Sequence, residues 1–476
     1  MPRAWRGHKS KACMEMKVTT YGATQFFNNV TVAPCIGYWD TRTQPDPRGP
    51  FRTKEQLMTT TAAPQPTTAS RSSLRERFSE IRHTSMRITN GLSPEDQMLQ
   101  SMPEASPSKW HLAHTTWFFE TFILQPNLPS YKPFDPRYKY LFNSYYKQLG
   151  GHPYRGSRGL MSRPSLQQVH AYRGYVERAL LAFLEDAGND VLELVELGLN
   201  HEQQHQELIL TDIKHALWSS PLGPESASAS GAPAASSRLS WIDMEGGIHS
   251  VGHDGSGFAF DNESPRHEVL LQPFRIASRP VTNAEYLEFM QDAGYRRPEL
   301  WLSDGWDAVC AQRWDAPLYW ERHEDGSWWQ FTMNGLQQVD PAEPVCHVSF
   351  YEADAYARWS GARLPTEEEW EVSAVRVPSH GTFLEDYVFH PRAARGEGSQ
   401  QMFGEVWEWT ASPYVAYPGF QPAAGLIGEY NGKFMCNQMV LRGGSCATPS
   451  SHIRASYRNF FPPQARWQFS GIRVAR

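Results

Sequence analysis

From Leu74 onward, apolar residues recur among charges at helical spacing: Leu74, Phe78, Ile81 and Met86 predict a first helix. A second is expected after Ser106 as N-cap, with Pro107 in the first helical position and Trp110, His114, Trp117, Phe118 and Thr121 on one face. A third spans roughly 165–187. The fourth places Leu194, Leu197, His201, His205 and Leu208 at i, i+3, i+4 spacing, with Asn189 or Asp190 as cap, Glu193 completing a capping box, and an end near Trp218. Residues 131–162, between the second and third helices, hold Pro, Gly and many tyrosines without a period. Connections of that length inside a compact domain are usually functional. Four helices with one long crossover predict a four-helix bundle over 71–218, an architecture that builds metal sites from facing helices.

Residues 219–240 are rich in Ser, Ala and Pro and read as a linker. Beyond it, short β-like runs at 248–251, 268–271 and 440–442 alternate with helical patterns at 283–293 and 351–361. The chain closes on a strand-like 471–476, so 241–476 is expected to be an α+β domain with much loop. Residues 1–70 lack a sustained apolar period and end in a Thr/Ala/Pro run, the pattern of a disordered extension. Met58 opens that run, so the residues before it are expected to extend a shorter functional protein. Their basic start is followed by no apolar h-region, which gives no support to a secretory signal. No internal repeat is found.

Composition narrows the function classes. The 476 residues carry a formal net charge of -6 with both signs interspersed, which offers no basic stripe for nucleic acid. No apolar run reaches the ~18 residues of a membrane helix. Six cysteines are scattered without CxxC spacing, which argues against a zinc ribbon or a disulfide scaffold and fits a reducing, cytoplasmic setting. Aromatic content of 13%, with 17 Trp, points to aromatic-lined pockets.

Candidate chemistry concentrates in 200–207, Asn-His-Glu-Gln-Gln-His-Gln-Glu. His201 and His205, four apart on a helix, face one way and can bind one metal ion. The alternative is a pair of core histidines satisfied by neighbours. As a metal pair they need a third ligand, and His114 on the second helix is best placed, giving a three-imidazole set with open positions for substrate and gas. His111, at the edge of that stripe, is expected to be a supporting histidine. The string 201–205 is also a literal HExxH, which in zinc peptidases supplies two ligands and a glutamate base.

Trp110-His111-Leu112-Ala113-His114 followed by the 201–207 motif resembles the DinB-type bundle of the ergothioneine-biosynthesis sulfoxide synthases. The second half resembles their formylglycine-generating-enzyme-like domain, of C-type-lectin-like fold, through residues 279–286, 363–371, 404–410, 441–445 and 454–459. The match runs from about residue 74 to the C-terminus. It implies an Fe(II) enzyme that uses O2 as co-substrate to join a thiol sulfur to C2 of the imidazole of hercynine, giving a sulfoxide. The resemblance carries the ligand role onto His114, His201 and His205. Gln204 matches a position whose amide helps hold hercynine, and Asn459 and Phe460 match the segment that closes over its trimethylammonium end.

The donor thiol follows from departures within the family. Where the γ-glutamylcysteine-using branch has an Asp anchoring the donor, this chain has Phe461. It resembles instead the branch with paired tyrosines, here Tyr145 and Tyr146, and a downstream Arg, which accepts free cysteine. Arg155 would bind the cysteine carboxylate, with Arg158 as the alternative. One tyrosine would supply a proton or hydrogen bond to the oxygen species. The same chemistry with γ-glutamylcysteine, or an ovothiol-type histidine/cysteine sulfoxide synthase, is the alternative within the class. Formylglycine-generating relatives use two cysteines for copper, but Cys446 has no second cysteine near it in the 454–459 segment. Oligomeric state is not legible.

Overall fold

The computed structural model describes residues 68–220, 222, 236–423, 428 and 431–476. The expected disorder of 1–70 and the 219–240 linker therefore lie mostly outside the described residues. The apolar stripe of Leu74, Phe78 and Ile81 is buried along α1 (Thr68–Thr89). The second helix, α2 (Ser108–Phe119), begins differently from expectation: Pro107, not Ser106, occupies the N-cap. Ser106 is instead tied to neighbouring elements, its N–H donating to Asp212 and its hydroxyl accepting from Arg158. Every residue of α2 is buried, a width its one-face pattern did not reveal. It continues through a π-helical turn, Glu120–Leu124, into α3 (Gln125–Asn127).

The long connection folds into α4 (Tyr138–Leu141) and the 3-10 turns Lys147–Leu149 and Arg155–Leu160. Ser165 and Gln168 form a capping box that opens α5 (Leu166–Phe183), which stops four residues short of the expected 187. Helix α6 (Asn189–Trp218) runs 30 residues, and its cap is a second correction. Gly188 holds the N-cap in an extended conformation without a side-chain bond, and Asn189 and Asp190 are already helical.

α1 packs on α6, and α2 packs on both α5 and α6 around a core that includes Phe78, Trp117, Tyr172, Val176 and Leu199. Gly198 permits the close approach of α2, because a Cβ there would lie 2.6 Å from the Phe119 ring.

The C-terminal half is built of small antiparallel units. β1 (Trp241–Met244) pairs with β4 (Phe274–Ala277), and β2 (Gly247–Val251) with β3 (His267–Leu271). β5 (Trp320–Arg322), β6 (Trp328–Thr332) and β7 (Gly335–Gln338) form a meander. The largest sheet has the order β10 (Asn459–Phe461), β9 (Met439–Arg442), β8 (Trp407–Pro413), β11 (Ser470–Gly471). The strand expected at 471–476 is regular only at Gly471; beyond it Val474 and Arg476 make backbone hydrogen bonds with Ala277 and Arg275 of β4, and Ala475 bridges Ile276 and Arg363.

Helices α7 (Asn283–Gln291), α9 (Phe350–Trp359) and α10 (Glu367–Ala374) each open with a Ser/Thr–Glu capping box. The fourth, α8 (Ser303–Gln312), has none. Helix α6 joins the halves. Leu210 packs with Cys346, Val406, Cys446 and Phe469, and Lys214 Nζ lies 2.7 Å from His347 Nε2. The helices and sheets thus share one unit, Pro64–Arg476. Among the described residues, no helix is long and apolar enough to cross a membrane.

Candidate metal centre

One turn of α6 separates His201 from His205, and α2 brings His114 against both, so the ligand atoms of the three lie within 4.8 Å of one another. All three are buried. The residues around them decide which ring nitrogens are available. Asp212, seven residues beyond His205 on α6, accepts from His111 Nε2 at 3.0 Å. His111 Nδ1 then carries a lone pair and accepts from His205 Nδ1 at 2.8 Å, which leaves His205 Nε2 as a lone-pair nitrogen. His114 Nδ1 donates to the Phe142 carbonyl at 2.6 Å, and its Nε2 is likewise a lone pair. Among the described residues His201 has no hydrogen-bond partner besides His205: its Nδ1 is buried and unbonded, and its Nε2 lies 3.1 Å from His205 Nε2.

Two imidazole nitrogens cannot both present lone pairs to each other at that distance without repulsion. A shared cation removes the conflict; so does a His201 Nε2–H that donates to His205 Nε2, which then leaves the buried His201 Nδ1 lone pair unmet. Two ligand nitrogens about 2.0–2.1 Å from one ion and at right angles would stand roughly 3 Å apart. Burial pushes His114 and His205 well below the ordinary imidazole range and His201 down to about 4. At neutral pH all three are in the uncharged form that binds metal. The donor set therefore fits a first-row metal ion.

Glu202, in the same helical turn, faces elsewhere. It accepts from Arg82 at 2.9 Å, Arg173 at 3.1 Å and Ser85 at 2.6 Å. A carboxylate so held is no general base for a peptidase, which removes the chemical basis of the HExxH reading. Cys446 does have a neighbouring cysteine, Cys346, which arrives from a segment one hundred residues upstream. Burial raises both thiols, Cys346 to about 12, so without a metal the pair is protonated at neutral pH.

Two cavities flank Gln204. One, of about 270 Å³, is lined by His201, Gln204, Phe118, Tyr146 and the 258–261 segment. The other, of about 100 Å³, is lined by Gln204, Glu207, Asn459, Phe460 and Phe461. Gln204 Nε2 donates to Tyr457 Oη at 2.7 Å. Asn459 turns its carbonyl to the Phe460 N–H, and the Phe460 ring stacks on Tyr414 with centroids 4.0 Å apart.

Tyr146 is buried against Trp117 and Phe122, whereas Tyr145 accepts from Arg155 Nη1 at 3.1 Å and meets Phe434 edge-on. Arg155 also donates to the Glu104 carbonyl. Arg158 is buried over Trp110, 3.4 Å from the ring centroid, and Trp110 stacks on His114 at 4.6 Å. Burial lowers Arg158 to about 9, and among the described residues no carboxylate pairs with it. Sequence reading missed Asp212, although its i+7 position relative to His205 put it on the metal-facing stripe. It also missed the 258–261 segment, whose Phe-Ala-Phe-Asp carries no signal of its own.

The chain is 32% identical over 440 residues to the hercynine oxygenase of Mycolicibacterium thermoresistibile, covering 85% of this chain and 95% of that protein. The chain belongs to the hercynine oxygenase family. The Mycobacterium tuberculosis member is 32% identical over 404 residues, 78% of this chain and 91% of its own length. Ergothioneine biosynthesis protein 1 of Schizosaccharomyces pombe is 30% identical over 232 residues, 46% of this chain and 28% of that one. A sulfatase-modifying factor enzyme 1-like domain matches residues 228–397 and 392–476. As a member of the hercynine oxygenases the protein is an oxygenase, and its C-terminal half is of the sulfatase-modifying-factor type with a helical region before it.

Proposed function

We propose that this oxygenase is a cytoplasmic, iron(II)-dependent sulfoxide synthase that joins the sulfur of free cysteine to C2 of hercynine in ergothioneine biosynthesis. In this reading 71–218 is a DinB-type bundle that holds the metal, and 241–476 is the domain that covers the substrates. The observation that carries it is the convergence of His114, His201 and His205, uncharged at neutral pH, with His201 bonded among the described residues to His205 alone. Iron, when bound by these three, supplies the redox chemistry with O2.

The chain's own residues do the rest. Gln204, between the two cavities, orients hercynine, with Asn459 and Phe460 closing over its far end. Arg158 is the better carboxylate partner for cysteine than Arg155, because its buried guanidinium forms no ion pair among the described residues while the Arg155 fork is engaged by Tyr145 and Glu104. Tyr145 and Tyr146 are the proton donors at hand. Tyr146 lines the cavity beside His201, and Tyr145 is linked to Arg155. Phe461, where an acidic residue would anchor a γ-glutamyl group, disfavours γ-glutamylcysteine.

Anaerobic loading with Fe(II), addition of hercynine with cysteine or γ-glutamylcysteine, then O2 and mass spectrometry tests the reading. Hercynylcysteine sulfoxide from free cysteine is expected, with both bound iron and product lost in His205→Ala. Product only from γ-glutamylcysteine would overturn the donor assignment. Product from histidine in place of hercynine would move the protein to the ovothiol-type reaction.

A further inference from the structure

Gln204 borders both cavities, and its side chain is held by one hydrogen bond, from Nε2 to Tyr457 Oη at 2.7 Å. Among the described residues nothing bonds its Oε1. That bond is the last link of a relay that begins in the backbone of α6. Asn200 Nδ2 donates to the Glu196 carbonyl at 2.9 Å, and Asn200 Oδ1 lies 3.0 Å from His452 Nδ1. His452 Nε2 in turn lies 3.2 Å from Tyr457 Oη. His452 and Tyr457 belong to the segment between β9 and β10, whereas Asn200 and Gln204 stand one turn apart on α6.

The direction of every link follows from the first acceptor. A backbone carbonyl cannot donate, so the Asn200 amide turns its nitrogen to Glu196 and its oxygen to His452. That oxygen requires the proton to sit on His452 Nδ1. Burial holds this imidazole well below its ordinary range, so it carries one N–H and its Nε2 is a lone pair. Tyr457 therefore donates its O–H to Nε2, and its oxygen is left to accept. Gln204 can meet that oxygen only with Nε2. Turning Oε1 to Tyr457 instead would reverse every link and set Asn200 Oδ1 against the Glu196 carbonyl.

We propose that Asn200, His452 and Tyr457 are positioning residues that fix the Gln204 amide with its carbonyl oxygen as the acceptor offered to the substrate. This rests on the hercynine reading and names the substrate atom concerned. The quaternary nitrogen of hercynine has no hydrogen and its carboxylate only accepts, so the donor that meets Oε1 is the ring N–H. Asn200 and His452 line neither cavity, and they act on the ring through Gln204.

Isothermal titration of hercynine into the Fe(II)-loaded protein without O2, run as a double-mutant cycle, separates positioning from packing. Tyr457→Phe is expected to weaken hercynine roughly tenfold when Gln204 is present and less than about twofold in a Gln204→Ala background. His452→Leu should behave alike, whereas His452→Gln, which keeps one acceptor and one donor, should bind within about threefold of the wild type. Equal losses with and without Gln204, or undiminished binding by Tyr457→Phe, would overturn the inference. The direction of the relay has a readout that needs no ligand. With Zn(II) as a diamagnetic stand-in for iron, the imidazole nitrogen shifts should show His452 as the Nδ1–H tautomer, and the Nε2–H tautomer would overturn the inference whatever binds. A wild type that shows the expected tautomer and fails to bind hercynine would overturn the hercynine reading instead.

Discussion

Two buried polar clusters share helix α6, and they differ in how their charges close. Around Glu202, the guanidinium groups of Arg82 and Arg173 meet the carboxylates of Glu202 and Glu177, two positive against two negative. Around His201 and His205, four imidazoles including His111 and His114 share one carboxylate, Asp212, and one carbonyl, that of Phe142. The first cluster balances its charges within the protein and locks α1, α5 and α6 together. The second leaves the buried His201 Nδ1 without a partner among the described residues and sets the Nε2 atoms of His201 and His205 against each other. Burial alone does not distinguish structure from function on this helix; the unmet acceptors do.

The sharpest way to separate the clusters is to break the charge-balanced one. Glu202→Gln leaves Arg82 and Arg173 without their buried counter-ion, and losing one partner of such a network costs about 3–5 kcal/mol. Denaturant unfolding of the metal-free protein should show that loss, while the folded fraction still binds metal in unchanged stoichiometry. Loss of metal without loss of stability would make Glu202 part of the metal centre and erase the distinction.

A smaller effect is expected from the supporting residue of the imidazole cluster. Asp212→Asn removes the acceptor that fixes His111, and through it the tautomer of His205. Partners of this kind are worth roughly 10–100-fold in metal affinity. Competition with a chelator would measure it. An unchanged affinity would show that His205 is oriented by α6 packing alone.

Much of this contrast was legible in the sequence, for definite reasons. His201 and His205 announce themselves by four-residue spacing on a leucine stripe, and His114 by its place on the stripe of α2. The helices of the N-terminal half followed from period, whereas the capping box expected to be completed by Glu193 is not the start of α6. The misplaced cap at Ser106 has a definite cause. A polar residue beside a helix start competes for several partners, and tertiary ones won at Ser106, whose N–H goes to Asp212. The Glu202 network was not legible, because it depends on residues 82, 173 and 177 meeting across three helices. Cys346 beside Cys446, and Asp261 beside His201, are likewise products of the α+β half, where short strands and long loops bring together positions that no local period links.

The smallest effect separates the clusters by pH. Burial holds the His201 imidazole at about 4, below the ordinary 6.5 it regains on unfolding. Between those values the unfolded chain binds a proton that the folded protein refuses, so this group's contribution to stability falls as pH drops from 6.5 toward 4. The slope is at most about 1.4 kcal/mol per pH unit. Glu202 has the opposite timing. Burial alone would raise its carboxyl, but Arg82 and Arg173 outweigh that and hold it below its ordinary value, so its contribution persists until more acid pH. Buried carboxyls pushed up to about 7, such as Glu207 and Glu405, slope the other way and would mask the effect in the wild type alone. They are common to a His201→Gln variant. The stability of metal-free wild type minus that of His201→Gln should therefore decline through pH 6.5 to 4 and be flat above it. A flat difference throughout would mean that folding leaves the His201 pKa unchanged, so that below pH 6.5 a protonated His201 donating to His205 fills the gap between them.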